Sequence, residues 1–172
     1  DFTIVGYDDG TLTIDSTIID GINECLKKLD KRFIIIPITL LSALGGHAGL
    51  LIYDKETKIL ERFEPHGFET NDTAGVVLDK MIKKRLEDET NIRIDKYLTP
   101  IDFCPRVSFQ TLEDGPDLPS DPGGFCQSWI YYYCDLRMRN QHVDRDEIIK
   151  YTIDYIQKNN LDFKKLIRGY SY

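Results

Sequence analysis

Three residues of the sequence have the side-chain types that thiol catalysis needs: Cys126, His47 and Glu64. A cysteine nucleophile needs a base, and the base needs a group that orients it. Cys126 follows a Gly-Gly-Phe segment and opens a stretch whose apolar residues recur at helical spacing, so we predict that it lies at a helix N-terminus. There the helix dipole and the first backbone N–H groups favour a thiolate and can stabilise an oxyanion.

His47 and Glu64 are predicted to lie on one β-hairpin. The segments His47–Tyr53 and Lys58–Glu64 read as strands on either side of a short turn. Antiparallel pairing would bring the first residue of one strand and the last residue of the other to the same end of the hairpin. The two glycines directly before His47 leave room for a substrate beside the chain.

The other three cysteines are expected to be inert thiols. Cys25 is predicted on the core face of a helix, Cys134 inside the helix that Cys126 opens, and Cys104 directly before a proline. The chain has no CxxC motif and no short Cys/His spacing of a zinc site, and a chain with an ordinary core does not need a disulfide scaffold. We expect no metal and no cofactor.

Composition limits the classes of partner. With 22 Lys+Arg and 29 Asp+Glu, the net charge is 22 − 29 = −7, which argues against nonspecific nucleic-acid or anionic-membrane binding. No apolar run reaches the roughly 20 residues of a membrane span, and no basic-then-apolar leader opens the sequence. The 172 residues are read as a single domain, 1–172, with an intracellular, cytoplasmic location in a host or infected cell.

The remaining elements follow from periodicity and turn residues. Leu40–Gly46 is read as a connector, Thr111–Phe125 as a long polar loop, and Asp144 with Glu147 as a capping box. The other predicted strands are 3–6, 11–14, 32–38, 92–97 and 106–110, and the helices begin near residues 15, 77, 126, 144 and 163.

The order of these residues resembles the ubiquitin-like-protein protease clan, which includes SUMO-deconjugating enzymes and the adenovirus maturation protease. In this clan, as in this sequence, a His is followed by an acid and then by a distant Cys that opens a helix. Here the acid, Glu64, follows 17 positions after His47. The resemblance covers roughly residues 33–140, and the Cys126 segment is also similar to uncharacterised proteins of large DNA viruses. Its motifs are Ile35-Ile36-Pro37, His47–Asp54, Glu61–Pro65 and Gly123-Gly-Phe-Cys126.

The resemblance implies an α+β fold in which a central mixed or antiparallel sheet is flanked by helices. Cys126 would be the nucleophile, His47 the general base and Glu64 the residue that orients His47. Gln110 would stabilise the oxyanion together with the Cys126 N–H. The implied function is a cysteine protease or isopeptidase that removes ubiquitin or a ubiquitin-like modifier after a Gly-Gly-type terminus, without a cofactor.

Three positions depart from the family pattern. Ala48 stands where the family typically has Trp, and Gln127 where it commonly has Gly. Gln110 lies 16 positions before Cys126, whereas the family Gln lies about half a dozen positions before the Cys. Gln127 is therefore a rival for the oxyanion role.

Other functions stay open on the sequence. One is an endopeptidase that matures a viral polyprotein, and another is an effector-type acetyltransferase that uses acetyl-coenzyme A on a related fold. A third is a catalytically silent module that binds a ubiquitin fold, which the intact Cys126, His47 and Glu64 set disfavours.

Overall fold

The computed structural model describes residues 4–7, 10–42, 45–70, 72–113 and 125–171. They divide into two compact units. The sheet unit comprises Asp1–Arg62 with Asn71–Thr99, and the helical unit comprises Phe63–Thr70 with Pro100–Tyr172.

Strands and helices are mixed along the chain. The strands are β1 (Ile4–Tyr7), β2 (Leu12–Ile14), β3 (Phe33–Ser42), β4 (Gly45–Asp54), β5 (Ile59–Phe63) and β6 (Lys96–Leu98). The helices are α1 (Ser16–Lys27), α2 (Thr73–Glu89), α3 (Pro100–Phe103), α4 (Phe109–Glu113), α5 (Cys126–Arg139), α6 (Arg145–Lys158) and α7 (Phe163–Ser171).

The six strands form one mixed sheet in the order β2-β1-β3-β4-β5-β6. β1 pairs antiparallel with β2 and parallel with β3, β3 pairs antiparallel with β4, and β5 pairs parallel with β6. β4 and β5 are neighbours joined by a turn of only a few residues, a connection that permits only antiparallel pairing. The predicted α+β class and the predicted hairpin are both confirmed.

The core of the sheet unit lies on one face of the sheet. Ile34, Ile36 and Ile38 alternate along β3 and are almost fully buried, as the period of two in a strand requires. They belong to one cluster with Ile22 of α1 and Ile82 of α2. Two helices therefore cover this face.

A buried ion pair joins three elements of the sheet unit. Arg62 of β5 donates from Nε to Asp79 Oδ1 of α2 at 2.6 Å and from a terminal nitrogen to Oδ2 at 3.1 Å. Tyr97 of β6 donates to Asp79 Oδ1 at 2.8 Å. Burial, followed by the adjacent Asp79 carboxylate, raises the pKa of Tyr97 well above its ordinary value.

Aromatic rings form the interior of the helical unit. Phe63, the last residue of β5, stacks on Tyr133 of α5 with ring centroids 4.0 Å apart. Phe109 of α4 stacks on Trp129 of α5 at 5.0 Å and an interplanar angle of 9°. All four side chains have almost no exposed surface.

Three sequence predictions about strands are wrong. Only Lys96 and Tyr97 of the predicted strand 92–97 belong to β6. The segment 106–110 was expected to be a strand, but α4 begins at Phe109 because a run of five alternating residues is too short to distinguish a strand from a helical turn. The connector Leu40–Gly46 is much shorter than expected, since β3 continues to Ser42 and β4 already begins at Gly45.

The expected capping box is only half confirmed. Asp144 does occupy the N-cap of α6, but its side chain makes no cap hydrogen bond. The acidic residues Asp146 and Glu147 in the first turn still favour this helix end through the dipole. None of the helices in the described ranges is both long and apolar enough to cross a membrane.

Candidate active site

Cys126 is the first residue of α5, as its sequence context predicts. It is buried, with 8% of its surface exposed. The N-cap residue Phe125 provides no side-chain cap, and the first turn contains no acidic residue. By contrast, the N-cap residues of α1 and α2 are Asp15 and Asp72, whose carboxylates accept first-turn N–H groups. Neither the N-cap residue nor the first turn of α5 therefore supplies a carboxylate of the kind that accepts these N–H groups at α1 and α2.

α7 brings a cation to this helix end. The Arg168 guanidinium lies over the Phe125 ring, 5.7 Å from its centroid. Ser171 Oγ donates to Ser128 Oγ in the first turn of α5 at 2.7 Å. A positive charge beside a helix N-terminus favours a thiolate there.

Gln110 lies on α4 and is 6% exposed. Its backbone N–H donates to Pro65 O at 3.0 Å. Within the described part of the chain, its side-chain Oε1 has no hydrogen-bond partner. Such a group is costly to bury unless a ligand or water completes it. The rival Gln127 is exposed on the first turn of α5.

The segment that carries Glu64 is fixed to the start of α4. In addition to the hydrogen bond from Gln110 N–H to Pro65 O, His66 O accepts hydrogen bonds from Ser108 N–H at 3.2 Å and from Thr111 Oγ1 at 2.7 Å. Two of the predicted site residues, Glu64 and Gln110, are therefore carried by segments that are bonded to each other.

Gly67 allows the segment that carries Glu64 to lie close against the backbone at Pro105. Its φ is +101°, and a Cβ at this position would lie 2.3 Å from Pro105 O. Only glycine tolerates both the left-handed conformation and the close backbone approach. The next residue, Phe68, donates its N–H to the same Pro105 O at 3.2 Å.

The Glu64 carboxylate is held by its own turn. Glu64 Oε1 accepts the backbone N–H of His66 at 3.2 Å. A carboxylate has about four acceptor positions, so accepting this bond is compatible with a further role in orienting an imidazole.

Glu113 and Trp129 connect α4 to α5, and sequence reasoning did not find this contact. Trp129 Nε1 donates to Glu113 Oε2 at 2.7 Å in the interior. The sequence analysis placed Glu113 in a polar loop and Trp129 on a helix face. No local pattern pairs residues 16 positions apart in an irregular segment.

His47 belongs to the sheet unit, where it is the third residue of β4 and is half-buried. It pairs in register with Leu40 of β3. Gly45, the first residue of β4, has a φ of +136°, a conformation that L side chains rarely adopt. The triad of His47, Glu64 and Cys126 stays a prediction, because its members belong to different units.

The four cysteines are thiols, since no disulfide joins any of them. Across the described ranges, no group of three or more His, Cys, Asp and Glu side chains is arranged to hold a metal ion. Gly123 and Gly124, which the sequence analysis placed before Cys126, lie outside the described residues.

No family model matches the chain. It is 35% identical over 153 residues to a putative ankyrin repeat protein of Acanthamoeba polyphaga mimivirus. This match covers 81% of the chain and 20% of the relative, so the chain spans about a fifth of that protein. A viral relative agrees with the expected similarity to proteins of large DNA viruses. The six-stranded sheet differs from the paired helices of an ankyrin array, so the relative's name describes a feature that the described residues lack.

Among solved structures, the chain resembles the Legionella pneumophila effector protein RavZ, with a TM-score of 0.48 and 12% identity. The likeness covers 81% of the chain and 40% of RavZ. A similarity this distant carries no argument about function.

Proposed function

We propose that the chain is a thiol peptidase that releases ubiquitin or a ubiquitin-like protein after a Gly-Gly-type terminus. The observation that carries the proposal is the position of Cys126 at the start of α5, where neither a side-chain cap nor an acidic residue of the first turn competes for the backbone N–H groups. Such an environment lowers the pKa of a thiol and stabilises negative charge on a bound carbonyl oxygen.

In the proposed reaction the Cys126 sulfur attacks the carbonyl carbon, and the C=O electron pair moves onto oxygen. His47 takes the thiol proton and then passes it to the leaving amine as the C–N bond breaks. The resulting thioester is hydrolysed by water, whose proton His47 accepts, and the thiolate leaves. Glu64 orients His47, the role that the family resemblance assigns to it.

The oxyanion of both steps would be stabilised by the Cys126 N–H and the Gln110 amide. The burial of Gln110 on α4, a helix that is hydrogen-bonded to α5 through Glu113, supports this role over one for the exposed Gln127. We expect Gln110→Ala to lower kcat by roughly 100-fold, the usual effect of removing one oxyanion donor. Gln127→Ala should leave kcat within about twofold of wild type.

The test is a panel of ubiquitin, SUMO and related modifiers with electrophilic C-termini. Wild type should form a covalent adduct with at least one of them, and Cys126→Ala should form none. Cys134→Ala is the matched control, because it removes a half-buried thiol from the same helix and should label normally. Labelling that survives in Cys126→Ala but disappears in Cys134→Ala would overturn the nucleophile assignment.

Two further results would redirect the proposal. If no probe labels wild type while peptide libraries are cleaved in a Cys126-dependent way, the polyprotein endopeptidase replaces the deconjugase. If Cys126 accepts label from radioactive acetyl-coenzyme A, the acetyltransferase replaces both.

A further inference from the structure

The hydrogen bond between Glu113 and Trp129 lies where the two helices of the proposed site meet. Glu113 is 6% exposed and Trp129 is fully buried, and the bond length is 2.7 Å. A buried carboxylate that loses its donor keeps the full cost of desolvation, so this contact strongly fixes the two side chains relative to each other.

The position of the pair along the two helices is the informative point. Glu113 lies three residues after Gln110 on α4, and Trp129 lies three residues after Cys126 on α5. Residues three apart on a helix lie one above the other on the same side. The Glu113–Trp129 bond therefore joins the two helices one turn away from the proposed oxyanion donor and the proposed nucleophile.

The ring of Trp129 is held on several sides. It stacks on Phe109 at 5.0 Å, meets Tyr132 edge-on at 5.6 Å, and tilts against Phe163 of α7 at 6.2 Å. Because these rings already fill the interior, the Trp129 N–H is not needed for packing. What the N–H adds is a directional bond to Glu113, which fixes how far α4 lies from α5 and how it is oriented.

We infer that Glu113 and Trp129 are positioning residues that set the Gln110 amide against the N-terminus of α5. The inference rests on the proposed function and adds to it the element that aligns the oxyanion donor. Oxyanion donors act only when they are placed within a few tenths of an ångström, and a displacement of about 1 Å can cost roughly 100-fold in rate.

The test compares substitutions that keep or remove the bond. Trp129→Phe keeps an aromatic ring and removes the donor, and Glu113→Leu removes the acceptor. Each should lower kcat by roughly 10–100-fold, with KM changed less than about threefold, because the lost interaction acts in the transition state. Glu113→Gln retains an oxygen that can accept the indole N–H and should keep most of the wild-type kcat.

The double variant Trp129→Phe/Glu113→Leu separates positioning from stability. Removing both polar groups together leaves neither half of this hydrogen bond without the other, so the drop in urea midpoint should be smaller than the sum of the two single drops while kcat stays low. Ile130→Val, which removes one buried carbon from the same helix, is the control for a general loss of stability and should keep its kcat.

The possible failures are distinguishable. If kcat follows the urea midpoint across all five variants, or returns to wild type in the double variant, the pair is merely structural and the inference is wrong. If wild type itself reacts with no probe and cleaves no peptide, the proposed function fails first, and the inference fails with it.

Discussion

Asp79 of the sheet unit and Glu113 of the helical unit are both 6% exposed, and each accepts a hydrogen bond that joins two elements of its unit. Asp79 accepts from the Arg62 guanidinium through both oxygens and also from Tyr97, so its charge is neutralised by a cation. The bond that joins Glu113 to α5 comes from a neutral indole N–H. The guanidinium bond joins a strand to a helix, and the indole bond joins two helices.

The contrast extends to how each region is tied together. Arg62 and Asp79 join a strand to a helix through side-chain charge. The segment carrying Glu64 is instead joined to α4 through backbone groups, among them Pro65 O and His66 O, and through the close approach at Gly67. Substitutions at these two places should therefore destabilise the protein for different physical reasons.

The largest effect on stability is expected from Asp79→Ala. It removes the carboxylate that binds the buried Arg62 guanidinium through both oxygens, and breaking such a buried pair typically costs about 3–5 kcal/mol. Urea unfolding followed by circular dichroism measures the loss. Asp88→Ala is the control on the same helix, because its pair with Lys84 is exposed and should be worth about 0.3–0.5 kcal/mol. An equal loss of unfolding free energy in Asp79→Ala and Asp88→Ala would show that the buried ion pair stabilises the fold no more than the exposed one.

The next largest effect is expected from Gly67→Ala. The left-handed backbone alone costs about 1–3 kcal/mol for a residue with a side chain, and the contact with Pro105 O adds to it. The variant should unfold at lower urea and lose peptidase activity, since the Glu64 segment cannot dock. Gly21→Ala is the control: its Cβ meets nothing within 4 Å, and it should gain about 0.5–1 kcal/mol inside α1. A Gly67→Ala protein as stable as wild type would show that the close approach is dispensable.

The sequence predicts the parts of this molecule that depend on local patterns. The β-branched alternation of residues 33–38, the turn at 54–57 and the start of α5 at Cys126 are all recovered, because each follows from neighbours within a few positions. The Glu113–Trp129 bond and the His66 contacts are not, because they join segments far apart in sequence. The role of Gly67 is also hidden, since its requirement comes from the Pro105 backbone.

A smaller effect is expected from Tyr97→Phe, and it depends on pH. The folded-state pKa of Tyr97 is raised by burial and by Asp79, so its contribution to stability is complete below the unfolded pKa of about 10. That contribution is lost as the pH rises above 10 toward the folded pKa. Tyr97→Phe should lose about 1 kcal/mol at pH 7, from the missing hydrogen bond.

The free energy of unfolding above pH 10 tests whether Tyr97 titrates with the fold. Above pH 10 the wild type should destabilise more steeply than Tyr97→Phe, so the two unfolding free energies converge. Tyr155→Phe, which removes an exposed hydroxyl, is the control and should follow the wild-type curve. Parallel curves for wild type and Tyr97→Phe would mean that Tyr97 does not titrate with the fold.

The smallest effect is expected from Arg168→Gln, and it tests the electrostatics of α5 directly. Arg168 is exposed, so its attraction for a Cys126 thiolate is screened by solvent. Charges near a helix end are worth roughly 0.3–1 kcal/mol, so losing Arg168 should raise the pKa of the Cys126 thiol. The rate of iodoacetamide alkylation of Cys126 against pH, in a background of Cys25→Ala, Cys104→Ala and Cys134→Ala, measures this pKa. The shift should shrink in 1 M salt, and Lys165→Gln on the same helix should produce less of it. If Arg168→Gln leaves the pKa of the Cys126 thiol unchanged at low salt, Arg168 does not stabilise the thiolate. Any stabilisation would then come from the N–H groups of α5.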